Sequence, residues 1–182
     1  MKGKGMLIIG LLIMPVVLVS CGMSKDKIYH PFHSLTDNSG TRAEERAEAI
    51  MTALNTRDKE MIRDMFAKAA LEEIADFDEE LEGFFQYLPG EIKGWDEDYG
   101  GGPYSQKKSD YGHIKEFLIA EYHTSINGKQ YAILFKDIMR DTDNPDNLGL
   151  SYLQIKEFEG DMLCSVYGLE EWELSPGVYY PG

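Results

Sequence analysis

Residues 113–140 read HIKEFLIAEYHTSINGKQYAILFKDIMR, and this stretch decides the fold. Asn127-Gly128 lies between two runs rich in β-branched and aromatic residues. It is the strongest short hairpin signal a sequence carries, because the favoured two-residue turn needs positive φ at both central positions. Such a turn pairs Ile126 with Lys129. Counting back, Tyr122 faces Ile133, Ala120 faces Phe135, Leu118 faces Asp137 and Glu116 faces Met139.

The alternation then sorts the ribbon into two faces. One carries Leu118, Ala120, Tyr122 and Ile126 with Tyr131, Ile133 and Phe135, and is expected to meet helices. Tyr122, Tyr131 and Phe135 are its candidate pocket-lining residues. Glu116 and Asp137 fall on the same face, diagonally adjacent, where backbones lie roughly 7–8 Å apart. Two carboxylates in a partly dry pocket can share a proton and act as general acid and base. The plainer reading leaves both in water at the open end of the hairpin. The opposite face carries Lys115, Glu121, His123, Lys136 and Arg140, so His123 is read as a solvated surface histidine. Phe117, Ile119, Leu134 and Ile138 interrupt that polar face. They call for cover by another segment, by a partner or by a second copy of the chain.

Upstream, the apolar period is that of helices. Thr41-x-x-Glu44 resembles a capping box, and Ala43, Ala47, Ile50, Met51 and Leu54 follow at helical spacing. Asn55-Thr56-Arg57-Asp58 breaks the run and caps a second helix bearing Met61, Ile62, Met65 and Phe66. A third helical stretch carries Ile74, Phe77, Leu81, Phe84, Phe85 and Leu88, ending at Pro89-Gly90. Residues 71–82 hold seven acids and no base, read as a solvated helix back. Residues 92–99 are expected to form a strand ending at Gly100-Gly101-Gly102-Pro103, a turn that lacks the Lys-Ser/Thr of a phosphate loop.

Downstream, residues 149–158 read as the next strand. Asp141-Thr142-Asp143-Asn144-Pro145-Asp146-Asn147 connects it to the hairpin. Pro145 at the fifth place, and Tyr152 where a bidentate Glu belongs, separate this loop from a calcium-binding EF-hand loop. It is expected to be a polar turn. His30-Pro31-Phe32-His33 lacks a third ligand, so no metal site is expected. Trp95, Tyr99 and Tyr104 are expected to pack as core aromatics.

The N-terminus carries an address. Lys2 and Lys4 precede an apolar run over residues 6–19. The run is shorter than the about 20 residues a bilayer crossing needs and suits a secretion signal. It ends Leu18-Val19-Ser20-Cys21-Gly22, which resembles the bacterial lipoprotein signal, with Cys21 as the lipid-attachment residue. The expected organisation is a signal peptide over 1–20, a polar tether over 21–40 and one folded domain over 41–182. Cys164, among apolar residues, is read as a packing residue.

Composition bounds the partners. The chain has 182 residues, 43% hydrophobic, with 18 Lys plus Arg against 32 Asp plus Glu and a net charge of -14. Enough apolar surface exists for one packed domain. Nucleic acid is not an expected ligand, because its phosphates demand basic contacts, and the same balance argues against docking on anionic lipid through a basic face.

Helices followed by a long, curved antiparallel sheet define an α+β chain. The order resembles the cystatin-like, nuclear-transport-factor-2-like cone. The lipobox with Arg42-Ala43-Glu44-Glu45, Gly90-Glu91-Ile92 and the turn from Asn144-Pro145-Asp146 to Gly149-Leu150 resembles an uncharacterised family of bacterial surface lipoproteins with that fold. The resemblance covers roughly residues 41–170. It implies a cone but no reaction, so it transfers no catalytic residue and no cofactor. Glu116, Asp137, Tyr122 and Tyr131 echo the acids and tyrosines inside the cone of enzymes such as ketosteroid isomerase without matching a motif. The expected role is a non-enzymatic module, lipid-anchored on the extracytoplasmic face of the cell membrane. It would bind a small ligand or an envelope protein. The alternatives are a cone-pocket isomerase or hydratase and a self-associating assembly module.

Overall fold

The computed structural model describes residues 39–95, 103–158 and 174–181. Four helices come first: α1 (Ser39–Thr56), α2 (Lys59–Met65), α3 (Lys68–Glu73) and α4 (Phe77–Tyr87). Five strands follow: β1 (Tyr104–Asp110), β2 (His113–Ile126), β3 (Lys129–Asp141), β4 (Gly149–Phe158) and β5 (Gly177–Tyr179). They form one curved sheet in the order β1-β2-β3-β4-β5, antiparallel throughout except for the parallel pairing of β5 with β4.

The hairpin forms at the expected turn. Asn127 and Gly128 take φ of 53° and 82°, and Ile126 pairs with Lys129. Tyr122 pairs with Ile133, Ala120 with Phe135 and Leu118 with Asp137. Beyond that point the count breaks. A bulge between Glu116 and Phe117 places Glu116 opposite Arg140 rather than Met139. Bulges absorb the twist that a long two-stranded ribbon accumulates, and no turn signal announces them.

Helices and sheet enclose one core on the expected face. Ile50, Leu54, Leu81, Phe84 and Phe85 pack with Leu118, Phe135, Leu153 and Ile155, all buried. α1 begins at Ser39, inside the segment expected to be tether and two residues before the expected cap. Asp58 caps α2, its side chain accepting from the Met61 amide, as the Asn-Thr-Arg-Asp break predicts. The third helical stretch divides differently. Residues 68–73 form a separate helix, Ile74 ends it, and α4 starts at Phe77, so there are four helices rather than three.

Residues 91–95 are not a strand. The Asn55 side chain supplies what a neighbouring strand would. Its Oδ1 accepts from the Ile92 amide and its Nδ2 donates to the Ile92 carbonyl, both at 2.8 Å. A side chain on α1 thus satisfies backbone that pairing would otherwise have to satisfy. Two strands escape sequence reading. β1, YSQKKSD, is a polar edge strand, and β5 is three residues long. The C-terminal segment is seated by small local contacts. The Val178 amide donates to Glu80, and the Tyr180 ring fills the space above Gly83, where any Cβ would collide with it.

The opposite sheet face is also buried. Phe117, Ile119, Leu134 and Ile138 are at most 8% exposed and cluster with Tyr152, Leu174 and Tyr104. They are therefore not the exposed self-association patch that the sequence allowed. The chain itself contributes cover there, through Leu174 from the C-terminal segment. Cys21, Cys164, His30, His33, Tyr99 and the 100–102 glycines lie outside the described residues.

Candidate functional site

The cone interior was the expected site, and α1 and the sheet bring most of its residues together. Tyr122 and Phe135 stack at 6.1 Å with rings nearly parallel, and Trp95 leans on Tyr122 at 5.2 Å. With Ala47, Ile50 and Ile133 they line a crevice of only about 10 Å³. That is the space of about one water molecule, against several hundred Å³ for an ordinary ligand pocket. The aromatic rings fill the volume that the concave sheet creates.

Tyr131 is not part of that crevice. Its ring meets Tyr87 edge-on at 6.2 Å, and its hydroxyl donates to Glu157. Burial, with the Glu157 carboxylate beside it, pushes its phenol above the ordinary tyrosine range.

Asp137 is buried, as a residue of the helix-facing side must be, but its partner is not Glu116. Arg46 reaches down from α1 and its Nε donates to Asp137 Oδ2 at 2.7 Å. Asp137 is thus not in water as the plainer reading had it, and the alternative proton-sharing pair does not form either: a carboxylate–guanidinium pair stands in its place, with half-buried Glu116 displaced by the bulge to face Arg140 and Lys107. Removing either member of such a pair leaves a poorly solvated charge, so its first role is to fix α1 on the sheet.

The residue that sequence reading misplaced is His123. It is 3% exposed rather than solvated. Its Nε2 lies 2.7 Å from Glu121 Oε1, and its ring packs on Phe158 at 4.8 Å. Burial pushes the Glu121 carboxyl above its ordinary value of 4.5, and the His123 contact and Lys156 only partly oppose this. Alternation correctly placed both residues on the second face. What it could not show is that this face is covered. The one available signal was the apolar quartet beside them, which demanded cover.

A pH dependence follows. Between the ordinary carboxylate range and its raised folded value, Glu121 holds more proton when folded than when unfolded. Its contribution to stability is therefore fully present at low pH and is lost as pH rises through that window. Glu121→Gln keeps an acceptor for His123 and removes the buried charge. Urea titrations across pH 4–8 are expected to show a flatter stability profile for the variant, with its gain over wild type growing toward neutral pH. An unchanged profile would remove Glu121 as the titrating group.

The 141–147 loop is the polar turn expected, organised around Asp141. Asp141 accepts from the amides of Asp143 and Asn144 and from the Asn147 side chain, and these bonds hold its carboxyl below the ordinary range. Among the described residues no group of three or more His, Cys, Asp or Glu is placed to hold a metal. No helix among them is long and apolar enough to cross a membrane. A wider, open depression of about 410 Å³ lies at Leu71, Ile74 and Phe77, where Arg63 pairs with Asp78 across its wall.

Fold and site together define an α+β protein whose helices close over one face of a curved, mostly antiparallel sheet and whose interior is packed with aromatic rings. The family described as a domain of unknown function, DUF5104, matches residues 49–161, and the chain belongs to it. No curated protein matches the chain.

Proposed function

We propose that this protein is a lipid-anchored, extracytoplasmic binding module with a cystatin-like, nuclear-transport-factor-2-like domain, and that it works through its surface rather than through an internal pocket. The carrying observation is the filled interior: about 10 Å³ between α1 and the sheet leaves no room for a metabolite. The same fact weighs against the isomerase or hydratase reading, as does the engagement of Asp137 with Arg46. An envelope protein or the membrane surface is the favoured partner class, and a second copy remains a candidate through surfaces other than the buried quartet.

The anchor rests on Leu18-Val19-Ser20-Cys21-Gly22 behind its apolar run. Acyl chains hold a protein on a bilayer by about 0.8 kcal/mol per buried methylene. Cells fed an alkyne fatty acid are expected to label the wild-type chain. Cys21→Ser is expected to abolish the label, because a hydroxyl does not form the thioether. Labelling that persists in the variant overturns the anchor.

A further inference from the structure

We propose that the end of the sheet carrying the β1–β2 turn and the β3–β4 loop is a membrane-docking platform, with Tyr111 and Leu148 seated at the phospholipid headgroup level. This deepens the reading above and rests on the anchor at Cys21.

Tyr111 is the first observation. It is 98% exposed, with φ of 45°, and Gly112 follows at 91°. The two residues form a two-residue hairpin turn closed by Asp110 and His113. The first position of such a turn favours Asn, Asp or Gly, because a side chain strains the backbone there. A bulky aromatic is disfavoured by the turn and gains nothing from packing. Folding supplies no reason for it, and a residue that breaks a local rule without compensation points to function.

The second observation is Leu148, 46% exposed, on the neighbouring loop. Only three large hydrophobics are exposed among the described residues, and two of them share this end. The loops that carry them are tied together. Thr142 and Ile114 exchange bonds, with the Ile114 amide donating to Thr142 Oγ1 at 2.8 Å and the Thr142 amide to the Ile114 carbonyl at 3.0 Å. His113 contacts Asp143. The two apolar tips therefore present one braced surface.

The third is where the chain enters. α1 runs antiparallel to β3: Asn55 meets Ile92, Ile50 and Met51 meet Tyr122 and Phe135, and Arg46 meets Asp137. From Arg46 back to Ser39 the helix rises about 10 Å. From Asp137 on to Asp141 the strand advances about 13 Å. Ser39, the first described residue of the domain, therefore lies toward the end that bears Tyr111 and Leu148.

Charge at this end is compatible with a headgroup surface. Asp146 pairs with Lys68 at 2.9 Å, Asp141 is hydrogen-bonded within its own loop, Asp143 contacts His113, and Asp110 is exposed beside the turn. Lys107, Lys108 and Arg140 are exposed around the tips. Tyrosine is suited to this depth, its ring among acyl carbonyls and its hydroxyl in water.

The test uses the full chain isolated from expressing cells and held on phosphatidylcholine–phosphatidylglycerol vesicles, with acylation of Cys21 scored by mass in the same sample. Where no acyl mass is present, the anchor reading fails alone. Coupling Cys21 of the Cys164→Ser chain to a maleimide phospholipid then supplies a tether and keeps the platform testable. Enzymatic iodination is read at Tyr111 and Tyr179. Exposure alone makes Tyr111 the faster of the two. Docking is expected to reverse that order on vesicles, slowing Tyr111 several-fold. Tyr111→Asn with Leu148→Ser suits the turn and preserves the fold, as unchanged thermal unfolding will report. It is expected to raise acylation of Lys107 by a soluble ester several-fold on vesicles. Tyr111 still outrunning Tyr179 on the vesicle, or Lys107 reacting equally in both chains, overturns the platform.

Discussion

Gly149→Ala is expected to cost about 3 kcal/mol or more, from backbone strain and collision together. Gly149 opens β4 at φ of 122°, a region that side chains avoid. A Cβ there would stand 2.8 Å from the Met65 carbonyl oxygen and 3.0 Å from the Ala67 amide. Both neighbours are backbone and neither can swing aside. Relief requires moving the segment between α2 and α3 away from the sheet. That movement breaks the 2.8 Å bond from the Ala67 amide to the Leu150 carbonyl, which joins helices to sheet. Thermal unfolding followed by circular dichroism should show a loss of roughly 10 °C. A midpoint within about 2 °C of wild type, less than 1 kcal/mol, would show that this junction yields easily.

Phe135→Ala is expected to cost about 3–5 kcal/mol. Phe135 is completely buried at the centre of the helix-facing sheet, between Tyr122 and Leu153. Its removal enlarges the crevice it now fills. The new space would be lined by Ile50, Tyr122 and Ile133, apolar enough to stay dry and admit benzene. Urea unfolding gives the cost. Benzene is expected to raise the melting temperature of the variant while leaving wild type unmoved. An equal response in both chains would mean that the wild-type interior is already open, and the surface-binding reading would lose its support.

The two substitutions divide along the line between local and non-local information. Phe135 could be placed from sequence alone. Asn127-Gly128 fixes the turn, the turn fixes register, and the period of two assigns the face. The same count located Tyr122 and Asp137. It failed at Glu116, because a bulge responds to twist along the whole ribbon, and nothing local to Glu116 or Met139 encodes it. Gly149 had no such signal, since its need for glycine comes from backbone about 80 residues earlier in the chain.

The candidate site shows the same division. Arg46 carries no motif, and only the packing of α1 across the sheet brings it to Asp137. His123 and Glu121 were assigned to the correct face and the wrong solvent. Face follows from alternation, whereas exposure depends on what lies over the face, as Leu174 does for its apolar part. The Ile92 segment was read as a strand because the helical period stops at Gly90. Its hydrogen bonds go to the Asn55 side chain 37 residues away.

The sequence by itself determined the hairpin, its turn, the helical run before it, the polar loop after Asp141 and the face of each hairpin residue between the turn and the bulge. These are set by backbone preferences and by periods of a few residues, which neighbouring side chains carry in full. Tertiary structure alone decided the bulge, the fourth helix, the edge strands, the burial of His123 and the packing of aromatic rings between α1 and the sheet. Each depends on volume and hydrogen bonds contributed by segments distant in the chain, and such terms exist only once those segments have met.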